Sequence, residues 1–405
     1  MDKYSPYKDS GFEWMGQIPN HWETRRFRFL LAENSAQNTD LKERKQLQFR
    51  YGDIVPKANQ SVDKDVLDTI QKYTVVAPGD IMINGLNLNY DFISQRVAQV
   101  REPGVITSAY ISLRPLEGVN SKYYTYYMKA MDAKKIFHGM GSGVRLTLSY
   151  DNLKNLFFPY PSPQEQEAIV DYLDTATARI DEAIAQQQRM IDLLNERKRI
   201  FIHSAVTKGL NPAAQLMDSG VSWIGQIPKH WVVKRLKHIA RLKSGDTINS
   251  DRFTEEGYPV YGGNGFRGYT DSYTNEGDFV LIGRQGALCG NVNYAYGRFF
   301  ASEHAVVVYP YNTQNIIWLG EVIRDSDLNQ YSQSAAQPGL AVSTIGNIYY
   351  PYPPDDEREA IASEIKEKSY VLDANIRQAE SMISLLQERK QIIINDVVTG
   401  KVKVL

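Results

Sequence analysis

Asp9-Ser10-Gly11-Phe12-Glu13-Trp14-Met15-Gly16-Gln17-Ile18-Pro19-Asn20-His21-Trp22 returns 209 residues later as Asp218-Ser219-Gly220-Val221-Ser222-Trp223-Ile224-Gly225-Gln226-Ile227-Pro228-Lys229-His230-Trp231. Carried on to Arg26 and Arg235, the two stretches agree at 11 of 18 positions, a match that chance does not give in a pattern rich in Trp and His. A second echo follows: Leu193-Leu194-Asn195-Glu196-Arg197-Lys198 becomes Leu385-Leu386-Gln387-Glu388-Arg389-Lys390. One unit of about 200 residues is therefore used twice, and a duplicated chain can carry a pseudo-two-fold axis. Two short sites on one DNA duplex are a common target for that symmetry.

The offset between equivalent residues changes along the unit. It is 209 at the Trp-rich opening, 198 at Gly79-Asp80 and Gly277-Asp278, 194 at Ser108 and Ser302, and 192 from Asn155 and Asn347 onward. Insertions and deletions thus lie in the middle of each unit, and its final 50 or so residues admit none.

Those final segments read as long helices. Ser162-Pro163-Gln164-Glu165 has the form of a capping box with Pro at the first helical position. Apolar residues follow in alternating steps of four and three: Ile169, Leu173, Ala176, Ile180, Ala183, Met190, Leu194 and Phe201, with Gln187 and Arg197 filling two slots. The second copy repeats the phase at Ile361, Ile365, Leu372, Ala379, Met382, Leu386 and Ile393. At 1.5 Å per residue this predicts a coiled-coil seam of about 60 Å. Two such helices, each following its own globular region, are expected to pack antiparallel. The regions before them, rich in aromatic and β-branched residues and punctuated by Gly, predict irregular β structure with a short helix near 120–137. The expected order is globular 1–158, helix 159–210, globular 211–350, helix 351–405.

Composition excludes several classes. No run approaches the ~20 apolar residues of a membrane span, and the opening residues lack a signal-peptide profile. A single cysteine, Cys289, rules out an internal disulfide framework and suits a reducing cytoplasm. With 46 basic and 47 acidic residues, the chain lacks the surplus positive charge that would coat nucleic acid alone, so partners are expected to supply much of it.

Motifs of self-sufficient enzymes are absent or misplaced. Gly263-Asn264-Gly265-Phe266-Arg267-Gly268 spells the dinucleotide fingerprint, but strand-like sequence follows it where a helix is needed, so a turn exposing Asn264 and Arg267 is expected. Pro354-Asp355 with Glu364-Ile365-Lys366 spells a nuclease pattern, yet falls on the start of a predicted helix with Ile365 in its seam. No P-loop, zinc-ligand spacing or amino-methyltransferase Asn/Asp-Pro-Pro-Tyr/Phe motif occurs. The two His-Trp pairs read as aromatic plugs that pack each opening segment.

Polar loops in the variable middles carry the positive signal. In the second unit Arg284 and Gln285, flexed by Gly283 and Gly286, suit bidentate reading of guanine and adenine edges. Asn264, Arg267 and Tyr269 lie on the neighbouring turn. The first unit offers Asn84, Asn87 and Asn89, then Arg96, at a similar place. Near the unit ends lie Ser142 with Arg145, and Gln333 to Gln337. The competing reading of each is a solvated loop. Arg197, Lys198, Arg389 and Lys390 form either a solvated helix end or a docking face.

Taken together, the repeated Trp-x-Gly-Gln-Ile-Pro-x-His-Trp openings, Tyr261-Gly262-Gly263-Asn264-Gly265, Gly277 to Ala287, and Pro159-Tyr160-Pro161 leading into Leu-Leu-x-Glu-Arg-Lys resemble the specificity subunits of type I restriction-modification enzymes. The resemblance spans essentially the whole chain. It implies an α+β fold: two mixed α/β target recognition domains, separated by two long helices in an antiparallel coiled coil that acts as a ruler. It further implies a cytoplasmic protein without catalysis or cofactor of its own. Its partners would be double-stranded DNA, two methyltransferase subunits and two motor-nuclease subunits, with S-adenosylmethionine, ATP and Mg²⁺ held by those partners. One departure stands out: residues 240–350 hold 7 basic and 11 acidic side chains, so this half should rely on partners for DNA affinity. The alternative is a coiled-coil adaptor that reads no sequence.

Overall fold

The duplicated text folds twice into the same parts. The computed structural model describes residues 3–50, 52–58, 60, 63–286, 288–312, 315–332 and 339–404. It divides into two compact units, residues 1–187 with 381–405, and residues 188–380. Each unit therefore takes a globular region together with a half of each long helix, instead of leaving the helices as separate segments.

In the first unit, Tyr7–Asp9 pairs with Gln17–Pro19, and Glu23–Arg26 pairs with Phe157–Tyr160, all antiparallel. A four-stranded antiparallel sheet follows in the order Leu31–Glu33, Ile111–Pro115, Ile81–Ile83, Val97–Gln99. The second unit repeats both pairings, Leu216–Asp218 with Gln226–Pro228 and Val232–Arg235 with Tyr349–Tyr352. It also repeats the sheet, as Ala240–Ser244, Ala305–Pro310, Phe279–Gly283, Val292–Ala295. The variable parts differ. The first unit inserts the hairpin Leu47–Arg50/Asp53–Pro56 and a helix Lys64–Ile70; the second builds a five-stranded sheet around Tyr258–Gly262 and Gly265–Thr270.

The Trp-His openings are the plugs that the sequence predicts. Trp22 and Trp231 are fully buried. In the first unit Glu165 closes the capping box with Ser162 and also accepts from His21 Nε2 at 2.8 Å and Trp22 Nε1 at 3.1 Å. In the second, Glu357 accepts from His230 Nε2 at 2.5 Å and Trp231 Nε1 at 3.0 Å. One carboxylate in the first turn of a helix thus anchors the opening segment, where the helix dipole also favours negative charge. Burial pushes the Glu165 carboxyl up, but the donors His21, Trp22 and Ser162 outweigh it and hold it below its ordinary value. Each plug also receives the end of the other long helix. Gly209 and Gly400 take left-handed backbone, and a Cβ on either would press on Trp231 or on Pro19 and Trp22 respectively.

The long helices run Pro163–Lys208 and Asp355–Val398. Within the first unit, Asp181 faces Lys390, and Ile169, Val170 and Leu173 share a core with Ile394, Val397 and Val398. Within the second, Lys198 faces Asp373, and Ala205 and Val206 share a core with Ile361 and Ile365. One sequence number rises as the other falls, so the pairing is antiparallel in each unit.

The seam differs from expectation at two places in each helix. Met190 is 51% exposed while Ile191 is 7%, and Arg197 is exposed while Lys198 is half-buried. In the second helix Met382 and Arg389 are likewise outside, and Ile383 and Lys390 take the seam. At Lys198 and Lys390 the lysine stem lies in the seam while its ammonium bonds an aspartate across the pair, a contact that a periodicity of apolar residues does not register.

Candidate nucleic-acid interface

In both units the central strand after the Gly-Asp turn delivers a loop at the same end of the same sheet. In the first unit this loop runs from Asn84 to Arg96. Asn84 Oδ1 accepts the main-chain N–H of Leu86 at 3.2 Å, and Asn87 is exposed with φ +51°, a conformation that Asn tolerates better than most residues. A second hairpin lies beside it, closed by paired main-chain bonds between Ser142 and Thr147 of 3.1 and 2.9 Å. The two are tied together: Leu88 N–H donates to Leu146 O, Leu148 N–H to Gly85 O, and Asn89 Nδ2 reaches Val144 O at 3.5 Å. Ser142 is exposed at its base and Arg145 near its tip. Asn87, Asn89, Ser142 and Arg145 therefore share one surface.

Arg96 does not belong to that surface. It is 2% exposed, and its guanidinium donates to the carbonyls of Asn84, Leu86, Asn87 and Asp91 at 2.7–3.4 Å. Its main-chain N–H donates to Asp132 Oδ2 at 2.7 Å. The expectation that it contacts DNA is corrected. A planar fork with five donors is well suited to collecting loop carbonyls that have no strand partner, and here it sets the loop's shape. Asp91 completes the brace: the Ser94 and Ile93 amides hold its carboxyl at about 2, well below the usual range.

In the second unit three turns converge. Gly263 packs so closely on Gly283 that a Cβ on the latter would lie 1.9 Å from Gly263 O. Gly263 also abuts the carbonyls of Gln285 and His304, and Arg284 N–H donates to His304 O at 3.0 Å. Only glycines allow this crossing. It places exposed Asn264 and Gln285 side by side, and Asn291 Nδ2 donates to Asn264 Oδ1 at 2.9 Å. Arg284 is half-buried, with Nη1 donating to Ser244 Oγ at 2.9 Å. As expected, the Gly-rich stretch is a hairpin turn and no nucleotide loop: strands Tyr258–Gly262 and Gly265–Thr270 pair across it. Arg267 and Tyr269 are exposed on the outgoing strand, with Phe266. Gln337 lies outside the described residues.

Sequence reasoning passed over His304, whose turn sits under this convergence, and the apolar Tyr90 and Ile93 of the first loop. Neither carries a local pattern; only the crossing of distant loops marks them.

Of the four residues read as a docking face, Lys198 and Lys390 are spent inside the helix pairs, each at 2.7–2.8 Å from both oxygens of an aspartate. Arg197 and Arg389 stay exposed. Among the described residues no cluster of three or more His, Cys, Asp or Glu could hold a metal, and no helix is long and apolar enough to cross a membrane.

A 156-residue stretch is 38% identical to the type I restriction enzyme EcoprrI specificity subunit of Escherichia coli, covering 37% of this chain and 39% of that one. Over 98% of the chain and 97% of the relative, it is 21% identical to the MjaVIII specificity subunit of Methanocaldococcus jannaschii. A chain solved in work on complex assembly and conformational transition of the type I R-M system shares the fold, with TM-score 0.72 and 14% identity over 98% of this chain and 100% of that one. The HsdS subunit from Thermoanaerobacter tengcongensis follows at TM-score 0.50 and 15% identity, with 98% and 100% covered. The sequence profile described as type I restriction modification DNA specificity domain matches twice, at residues 38–190 and 228–378. With both copies matched over most of its length, the chain belongs to the type I restriction-modification DNA specificity family.

Proposed function

We propose that each unit reads one half of a split, asymmetric DNA site, and that the chain performs no chemistry itself. The observation that carries this is a shared sheet presenting unlike loops. Asn87, Asn89, Ser142 and Arg145 stand on one copy; Asn264, Arg267, Tyr269, Arg284 and Gln285 stand on the other, with Gln337 nearby in sequence to the same unit's end. Asn and Gln pair bidentately with adenine, and Arg with guanine. Equal frames with unequal side chains suit two different half-sites.

Partner subunits do the rest in this reading. Two methyltransferase subunits bring S-adenosylmethionine and flip an adenine out of the stack. Two motor-nuclease subunits bring ATP and Mg²⁺, and the assembly works in the cytoplasm. For docking, the helices offer an outward stripe: Met190, Leu193, Arg197 and Ile200 on the first, and Met382, Leu385, Arg389 and Ile392 on the second. The spacing of three, four and three keeps each set on one face. Helix length would set the spacer between half-sites, since one added turn of about 5.4 Å corresponds to one to two base pairs.

Methylome sequencing of host cells with and without the chain tests this. A two-part adenine-methylated motif should appear only with it; a pure adaptor leaves no motif. Exchanging residues 31–158 for those of a relative should then change one half of the motif. A change in both halves would refute separate reading.

A further inference from the structure

The reading loop of the first unit ends in an apolar tip. Tyr90 is 77% exposed and Ile93 95% on the loop, and Val144 is 97% exposed on the hairpin bound to it. Exposed apolar side chains on a slack loop would fold back on the protein. Here they are held out from below. Arg96 clamps four loop carbonyls, Asp91 Oδ1 takes the amides of Ile93 and Ser94 at 3.0 and 2.9 Å, and Phe92 stacks on His138 at 4.7 Å. His138 Nε2 lies 3.1 Å from Asp91 O, closing the brace. A rigid tip of this kind is preorganised for an apolar partner.

In the major groove every base pair offers hydrogen-bonding atoms, but its edges carry only one apolar group, the C5 methyl of thymine. Arg145, Ser142 and Asn87 are exposed on the same loop and hairpin and suit the polar edges and phosphates beside such a methyl. The matching loop of the second unit bears Arg284 and Gln285 at its base, so the tip lies on the surface assigned above to DNA. We infer that Tyr90, Ile93 and Val144 read thymine methyl groups, and that the half-site of the first unit contains thymine at the positions they touch. This rests on the reading of the chain as a two-headed DNA-specificity subunit.

The test uses the full chain with its host methyltransferase. Methylome sequencing first supplies the motif, and the exchange of 31–158 assigns its halves; failure at that stage strikes the parent reading alone. Duplexes are then made with each thymine of the first half-site replaced by deoxyuridine, which removes only the methyl. At one or two positions, binding should weaken about fourfold per methyl, the scale of one buried methyl group. In Tyr90→Ser/Ile93→Ser/Val144→Ser, thymine and deoxyuridine duplexes should bind alike, while substitutions in the second half-site keep their wild-type effect. The wild-type comparison stands even if the variant folds poorly. Equal binding of both duplexes by wild type overturns the inference, as does discrimination that survives in the variant. Loss of co-purification with the methyltransferase, with discrimination intact, would make the tip a protein-docking face and also overturn it.

Discussion

Arg96 of the first unit and Arg284 of the second leave the same end of equivalent sheets, yet the fold employs them in opposite ways. Arg96 is inside, bonded to four main-chain carbonyls; Arg284 is half-buried and donates to the Ser244 hydroxyl. The first loop is long and would strand its carbonyls without a central donor. The second is short, and glycines let three turns cross and satisfy one another's main chain. Loop length thus decides whether an arginine builds the reading surface or belongs to it. A frame can be duplicated faithfully while its heads diverge, because each head carries its own internal brace.

The largest effect should come from the part that both units share. Trp22→Ala and Trp231→Ala each delete a fully buried indole and should cost about 3–5 kcal/mol. Hydrogen exchange should show the loss in the unit that holds the mutated plug; equal loosening of both units would break the comparison. Next comes the part that differs. Arg96→Ala leaves four carbonyls without their donor and should destabilise the first unit by about 2–4 kcal/mol, read by the same exchange measurement. Arg96→Lys should not restore it, because an ammonium cannot span the same fork. Arg284→Ala should cost under about 1 kcal/mol and should instead relax the second half of the methylated motif. Equal destabilisation by Arg96→Ala and Arg284→Ala would contradict the assignment of roles.

Acid supplies a finer test. Glu165 is held below its ordinary value, so its stabilising effect is complete above about pH 4.3 and is lost as pH falls through the lowered native value. Glu165→Gln should remove that part of the first unit's acid sensitivity in pH-dependent exchange, and an unchanged profile would count against the anchor. The smallest effect concerns the seam. Lys198 with Asp373 and Lys390 with Asp181 are related by the 192-residue offset and are partly exposed. Double-mutant cycles should give about 0.5–1 kcal/mol for each, falling with salt.

Much of this was legible in one dimension. The Trp-His openings, the capping box at Ser162, the hairpin in place of a nucleotide loop, and the duplication are local patterns, and local patterns survive folding. The seam was legible only in part. The steps of four and three reach Met190 and Met382, yet the folded helices turn Ile191 and Ile383 inward beside them, and an aspartate on the other helix draws Lys198 and Lys390 into the seam. The loops were least legible. Asn87 and Arg145 read as exposed and are, whereas nothing in the string Gln95-Arg96-Val97 announces that its arginine is buried.

The amino-acid sequence alone fixed the two-fold use of one unit, the long helices and the variable middles, because repeats and helical periodicity depend on neighbours along the chain. Tertiary structure alone decided which arginine faces outward, which lysines cross the helix pair, and that Tyr90, Ile93 and Val144 stand on one braced tip. Those outcomes hinge on carbonyls, carboxylates and backbones brought together from positions far apart in the chain, and hydrogen bonding between them has no signature in local composition.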